Sequence, residues 1–271
     1  MTEREDFSDA YRRGMIFAHR GNFEGARHCF EEALVQERIS GNITRITAVL
    51  GNLGNALAVL GKLAEARTCY EEILTRQKPD SDPRAIGQTL VNLGNLSREL
   101  GEAPRAEAFY LEAEEFLENQ DDHHSLGMLY SNFGLLAHDA ADFGKAIGFF
   151  EKAIALHKRT GHEEGLAASW YQLGRTYQSL QENEKAETCF NHSQTHFHNL
   201  GNPTGEAEAL RGLTDVYEAR DDLELALNCI NRAAEICRRY RLPINKNDTE
   251  RFNRLSHRPG MSSKPEGESS K

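Results

Sequence analysis

Apolar residues recur along this chain at helical spacing, and the whole pattern then recurs. In the stretch 50–74, LGNLGNALAVLGKLAEARTCYEEIL, they fall at Leu50, Leu53, Leu57 and Leu60. After Gly61-Lys62 they resume at Leu63, Ala66, Tyr70, Ile73 and Leu74. Steps of three and four put each set on one face of a helix, so the stretch predicts two amphipathic helices joined by a tight turn. The pattern returns every 40 residues. Gly14, Gly54, Gly94, Gly134 and Gly174 keep that step, with Thr214 in the sixth copy. So do Ala26, Ala66, Ala106, Ala146, Ala186 and Ala226, and also Phe30, Tyr70, Tyr110, Phe150, Phe190 and Ile230. Self-similarity at a fixed period predicts an array of stacked units rather than one globular core.

The register places six helix-turn-helix units at about 5–40, 43–79, 83–119, 123–159, 163–199 and 203–240, an array over 1–240. Gly21-Asn22, Gly61-Lys62 and Gly101 mark turns within units, and Pro104 suits the first turn of a helix. Ala141-Asp142 is a weaker turn signal. The loop KPDSDP separates the second and third units, and Gly201-Asn202-Pro203 leads into the sixth. A glycine inside a helix costs about 1 kcal/mol against alanine. Five at one phase imply close helix approach beside an aromatic ring. In 241–257, Asn247-Asp248-Thr249-Glu250 reads as a helix start. Ile244, Phe252 and Leu255 are expected to make it a capping helix over the last unit. Residues 258–271 are polar and rich in Gly, Pro and Ser, and are expected to be disordered.

Trp170, Leu173, Gly174, Tyr177, Ala186 and Phe190 of the fifth unit carry a likeness: the pattern resembles the tetratricopeptide repeat. The resemblance spans about 230 residues in six copies, and departs from the usual 34-residue length. LGNLGNALAVLG and NLGNLSRELG resemble the long-repeat arrays of the LGN/Pins cell-polarity adaptors. No later segment resembles the G-protein-binding motifs of those adaptors. The resemblance implies an all-α, right-handed α-solenoid whose first helices line a concave face. It also implies a non-catalytic protein-protein interaction scaffold, an adaptor that holds a partner's extended or helical peptide segment.

On the first helix of each unit, amides stand beside the packing stripe. Asn52 recurs as Asn92, Asn132 and Gln172, and Asn55 recurs as Asn95. An amide side chain both donates and accepts, so a row of them can pair with the N–H and C=O of a passing backbone. The row resembles the asparagine ladder of some tetratricopeptide proteins. It also suits, as the lesser reading, a solvated helix face or bridges between adjacent helices. Arg12 and Gly212 interrupt it at the two ends. Arg98 and Arg175 are candidates to tune selection. With Glu99, His138, Asp139, Arg211, Asp215 and Glu218 they give the groove a mixed sign, unlike a clamp for a terminal carboxylate.

Charge narrows the partners. The chain carries a formal −10, and its last 31 residues hold seven Lys/Arg against four Asp/Glu, so residues 1–240 carry −13. Such a body repels nucleic acid and anionic lipid. The N-terminal MTEREDFSDAYRR has no apolar run, which points to a cytoplasmic protein without a signal peptide or membrane span. Cys29, Cys69, Cys189 and Cys229 share one phase. Equivalent residues of neighbouring units lie at least about 8–10 Å apart, beyond disulfide reach, so all four read as small buried side chains. Cys189, His192 and His196 share a helix face, but no fourth ligand or oxyanion-hole loop accompanies them. The expectation is no enzyme, no cofactor and no metal, with a monomer or weak self-association. Self-assembly by stacking of end units is the alternative.

Overall fold

The computed structural model describes residues 7–76, 82–243 and 246–256. Among these residues the chain forms thirteen helices and no strand. They are α1 (Asp9–His19), α2 (Phe23–Ser40), α3 (Ile43–Val59), α4 (Leu63–Arg76), α5 (Pro83–Glu99), α6 (Ala103–Asn119) and α7 (His123–Asp139). There follow α8 (Phe143–Thr160), α9 (Glu163–Ser179), α10 (Asn183–Asn199), α11 (Pro203–Ala219), α12 (Leu223–Tyr240) and α13 (Lys246–Ser256). The chain divides into two compact units, Met1–Asn132 and Phe133–Lys271, with the boundary inside α7. Most of the KPDSDP loop, Ile244 and the 258–271 tail lie outside the described residues.

Each helix packs chiefly on its sequence neighbours. In the first unit α1 pairs with α2, α3 with α4 and α5 with α6, and contacts of α2 with α3 and α4 with α5 join the pairs. Phe30, Leu50, Leu53, Leu57, Tyr70 and Leu93 lie in one buried cluster there. In the second unit the succession runs from α8 through α9, α10, α11 and α12 to α13. This consecutive helix-pair packing is that of a tetratricopeptide-type helical solenoid.

The periodic glycines have the packing role their phase implies. A Cβ on Gly54 would stand 2.7 Å from Cε1 of Tyr70, and one on Gly134 would stand 2.5 Å from Cε1 of Phe150. Both are closer than carbon atoms pack, so the ring of the second helix takes the space a side chain of the first would need. The sixth copy departs from this for a physical reason. Ile230 is smaller than a ring, and Thr214 fits above it fully buried, its Oγ1 donating to the Leu210 carbonyl at 2.8 Å. Gly212 also serves a clearance role, since a Cβ there would stand 2.7 Å from Cε1 of Phe190 of the preceding pair.

Gly-Asn steps join consecutive pairs by ending one helix and starting the next. Gly41 takes φ 71° and donates to the Glu37 carbonyl, closing α2. Asn42 then accepts from the Arg45 N–H at 3.0 Å, opening α3. A left-handed residue suits glycine, and an N-cap side chain stabilises by about 1 kcal/mol. Ala141 holds the same kind of conformation at φ 57° without that freedom.

Helix α13 lies against α12, with Leu255 1% exposed and Phe252 and Leu242 packed beside it. Its charges also reach α11. Asp248 accepts from Arg211 at 2.8 Å, Arg251 lies 2.6 Å from Asp215 and 2.9 Å from Glu218, and Arg254 lies 2.7 Å from Glu218.

Candidate functional site

In the first unit, α3 and α5 face each other across a groove of about 610 Å³. Tyr70 and Ile73 of α4 form part of its lining, and polar side chains of the two first helices occupy its walls. Asn52, Asn55 and Asn92 all line it, together with Thr44, Thr47, Gln88 and Thr89. Three of the amides expected from the sequence are therefore brought together. Asn95 and Arg98, one turn and two turns further along α5, are not among the lining residues.

The amides are also tied into the fold. The Asn52 carboxamide donates to the Tyr11 hydroxyl and to the Ala48 carbonyl, each at 3.0 Å. The Asn55 oxygen accepts from the Tyr70 hydroxyl at 2.6 Å and from Asn92 Nδ2 at 3.4 Å. In the next pair the Asn95 oxygen accepts from the Tyr110 hydroxyl at 2.6 Å. Tyr70 is almost wholly buried, and that burial pushes its hydroxyl pKa well up, so it remains a donor. A buried hydroxyl without an acceptor is costly, and Asn55 and Asn95 supply one.

The sequence holds the signal for this. Asparagine occupies the phase of Asn55 only where tyrosine occupies the phase of Tyr70. Where the ring is Phe30, Phe150 or Phe190, or is replaced by Ile230, that phase holds Met15, Leu135, Arg175 or Asp215. The row at Asn52 and the row at Asn55 therefore have different origins, which phase alone does not separate.

Bonding capacity remains after these contacts. Both amide protons of Asn52 are used and its oxygen is free. Asn55 has the reverse, with its oxygen used twice and its NH₂ free. Asn92 keeps its oxygen and one proton. The groove thus presents acceptor, donors and acceptor along its wall, the complement of a peptide backbone.

The remaining candidates lie apart from this groove. Asn132 is half-buried on α7 at the end of the first unit. In the second unit Gln172 is half-buried and accepts from Arg175 at 3.2 Å, while Arg175 itself is exposed. Burial and, secondarily, Arg175 hold His138 below its usual pKa. Arg211, Asp215 and Glu218 are engaged by α13. The missed partner was α13, whose charges have no periodic signature.

A second groove, of about 420 Å³, lies in the second unit between α8 and α10, with α9 beneath. Its lining includes Ile154, Trp170, Leu173, Tyr177 and Cys189. Burial pushes the Cys189 thiol up to about 12, far from a thiolate nucleophile. His192 stacks on Trp170 with ring centroids 4.6 Å apart, and His196 pairs with Glu163 at 2.8 Å. Cys189, His192 and His196 are thus held by separate neighbours. Among the described residues, no group of three or more His, Cys, Asp and Glu side chains could hold a metal. Among the same residues, no helix is long and apolar enough to cross a membrane.

Comparison with known proteins agrees with the helix-pair architecture. A crystal structure of BtubC (BKLC) from P. vanneervenii matches with TM-score 0.67 at 18% identity, over 88% of this chain and 95% of that one. The signal-transduction ATPase PH0952 of Pyrococcus horikoshii, which has a tetratricopeptide repeat sensor, matches with TM-score 0.75 at 17% identity. That match covers 91% of this chain and 38% of the other. RapI in its apo form matches with TM-score 0.69 at 15% identity, over 94% of this chain and 72% of that one. These identities show a shared fold. No curated protein sequence matches the chain. The family profile described as Tetratricopeptide repeat matches residues 45–119, 85–159 and 165–239, well over half of the sequence. Repeats of this kind support protein-interaction scaffolds and are typically non-catalytic. Periodic sequence, helix-pair packing and profile agree: the chain belongs to the tetratricopeptide repeat family.

Proposed function

We propose that the chain is a non-catalytic scaffold that holds an extended peptide segment of a protein partner in the groove between α3 and α5. The observation that carries this reading is the unused capacity of the three amides in one groove. Asn52 offers an acceptor, Asn55 two donors and Asn92 one of each. An extended strand needs alternating partners for its N–H and C=O, and it advances about 3.3 Å per residue. Thr44, Thr47, Gln88 and Thr89 add neutral polar groups around the same path. Arg76, the cation of the lining, is paired with Glu72 at 2.7 Å. Backbone capture supplies the affinity here, and the Asp82 carboxylate, which caps α5 at the Arg84 N–H, adds one negative charge to the lining.

Asn132 and Gln172 extend the same role along the array, and Asn95, Arg98 and Arg175 tune selection beside it. Soluble work in the cytoplasm suits this role. Stacking of end units is the weaker alternative, because α13 covers α12 at one end of the array with Leu255 buried.

Peptides selected against the whole chain from a random display library test the reading. Hydrogen exchange with a selected peptide bound should slow the amides of α3 and α5 while leaving α10 and α12 unchanged. Protection confined to the second unit would overturn the assignment of the groove.

A further inference from the structure

Helix α3 carries a second glycine, and its setting differs from that of Gly54. A Cβ on Gly54 would collide with the Tyr70 ring, so the fold requires that glycine. A Cβ on Gly51 would meet one atom among the described residues, Cδ1 of Ile73, at 3.9 Å, an ordinary packing distance. Gly51 is helical without a positive φ, so its conformation does not call for glycine either. A glycine inside a helix costs stability against alanine, and no described neighbour of Gly51 accounts for that cost. The other five copies carry a side chain at this phase: Tyr11, Val91, Ser131, Tyr171 and Arg211.

The space left open belongs to the amide groove. Gly51 is half-buried and lines that groove, with Ala48 one turn before it and Asn55 one turn after it on the same helix. Ile73 of α4 and Ala85 of α5 line the groove as well, so small and aliphatic groups stand among the amides. Of the charges in the lining, Arg76 is paired with Glu72 and Asp82 caps α5. Gly144 and Gly148 of α8 are also unopposed, but they are exposed and line neither groove. Gly51 therefore joins two independent features, a glycine the fold does not need and a wall with unused hydrogen-bonding capacity.

Resting on the amide-groove reading, we propose that Gly51 sets the side-chain selection of that groove: the bound segment places one aromatic side chain over Gly51 and against Ile73. Its backbone pairs meanwhile with the unused donors and acceptors of Asn52, Asn55 and Asn92. The ring takes the space that a side chain on α3 would need, as the rings of Tyr70 and Phe150 do at Gly54 and Gly134. Side chains of an extended strand alternate in direction, so one residue of the segment turns its ring to the helix wall while the next faces away. An aromatic side chain buries a large apolar area at one position, which adds selection to the sequence-blind capture of the backbone.

The test uses linear peptides selected against the full chain from a random display library and mapped by hydrogen exchange. Those that protect α3 and α5 should share one aromatic residue, and replacing it with alanine should weaken binding at least about tenfold. Gly51→Leu should weaken the aromatic peptide by a similar factor and leave its alanine version unchanged. The same substitution should not lower the urea midpoint, because leucine is the better helix former and its side chain enters an open groove. Should Gly51→Leu disturb the fold, Gly51→Ala decides. Its Cβ meets only Ile73 at an ordinary distance, so it should raise the urea midpoint and still weaken the aromatic peptide more than the alanine version. Peptides that protect α3 and α5 without a shared aromatic residue, or equal effects of the Gly51 substitution on the two peptides, would overturn the Gly51 assignment and leave the groove reading standing. Protection confined to helices other than α3 and α5 would overturn both.

Discussion

At the scale of single residues, identity at each phase follows the neighbour it must meet. Gly54 is bare because the Tyr70 ring lies on it, and Thr214 is allowed because Ile230 is smaller. Asn95 is an acceptor because Tyr110, 0% exposed, carries a hydroxyl that must be paired. The fourth pair solves the same packing problem with Leu135 and Phe150, which need no hydrogen bond. Asn95→Leu alone should therefore cost about 1–3 kcal/mol, the penalty of an unsatisfied buried hydroxyl. Adding Tyr110→Phe should return most of that loss, since the pair then copies the fourth repeat. Urea unfolding of the two single variants and the double gives the coupling directly. Purely additive losses would contradict the pairing. The glycine and ring positions were legible in the sequence from their phase. The role of Asn55 and Asn95 was legible only by comparing two phases at once.

At the scale of helices, the paired elements and their turns could be read from the period, because each helix buries its stripe against its sequence neighbours. Helix α13 could be expected from its start signal, but its ion pairs could not. Asp248, Arg251 and Arg254 meet residues 33–37 positions earlier, and no repeat of that pattern exists to reveal it. Those contacts give docking a pH dependence. Burial alone would raise the Glu218 carboxyl, but hydrogen bonds from Arg254 and Arg251 outweigh it and hold the group below its ordinary value of 4.5. A group depressed in the docked state stabilises docking above its free pKa, and the contribution fades as pH falls through the docked value. Amides of α13 should therefore be well protected near neutrality and lose protection below pH 4.5, after correction for intrinsic exchange. Glu218→Gln should show weaker protection near neutrality and lose this pH response. Protection that strengthens on acidification would contradict the ion-pair account.

For the whole molecule, the 40-residue period in six copies made the array and its family legible, while the candidate grooves were legible only in part. The register put Asn52 and Asn92 at one phase, and the structure places both in one groove with Asn55. What phase could not show is which donors and acceptors the fold itself consumes. It equally hid the second groove, between α8 and α10 over Trp170 and Leu173. The side chains of the two grooves offer hydrogen bonds, an apolar floor and fixed charge. The scaffold reading rests most directly on the amides between α3 and α5. Isothermal titration of a display-selected peptide against the wild type and against the Asn52→Leu, Asn92→Leu double variant tests it, with circular dichroism confirming that both fold alike. Loss of two to three hydrogen bonds at about 1 kcal/mol each should weaken binding by roughly thirtyfold or more. An unchanged Kd would show that the amides serve only the fold and that the partner binds elsewhere.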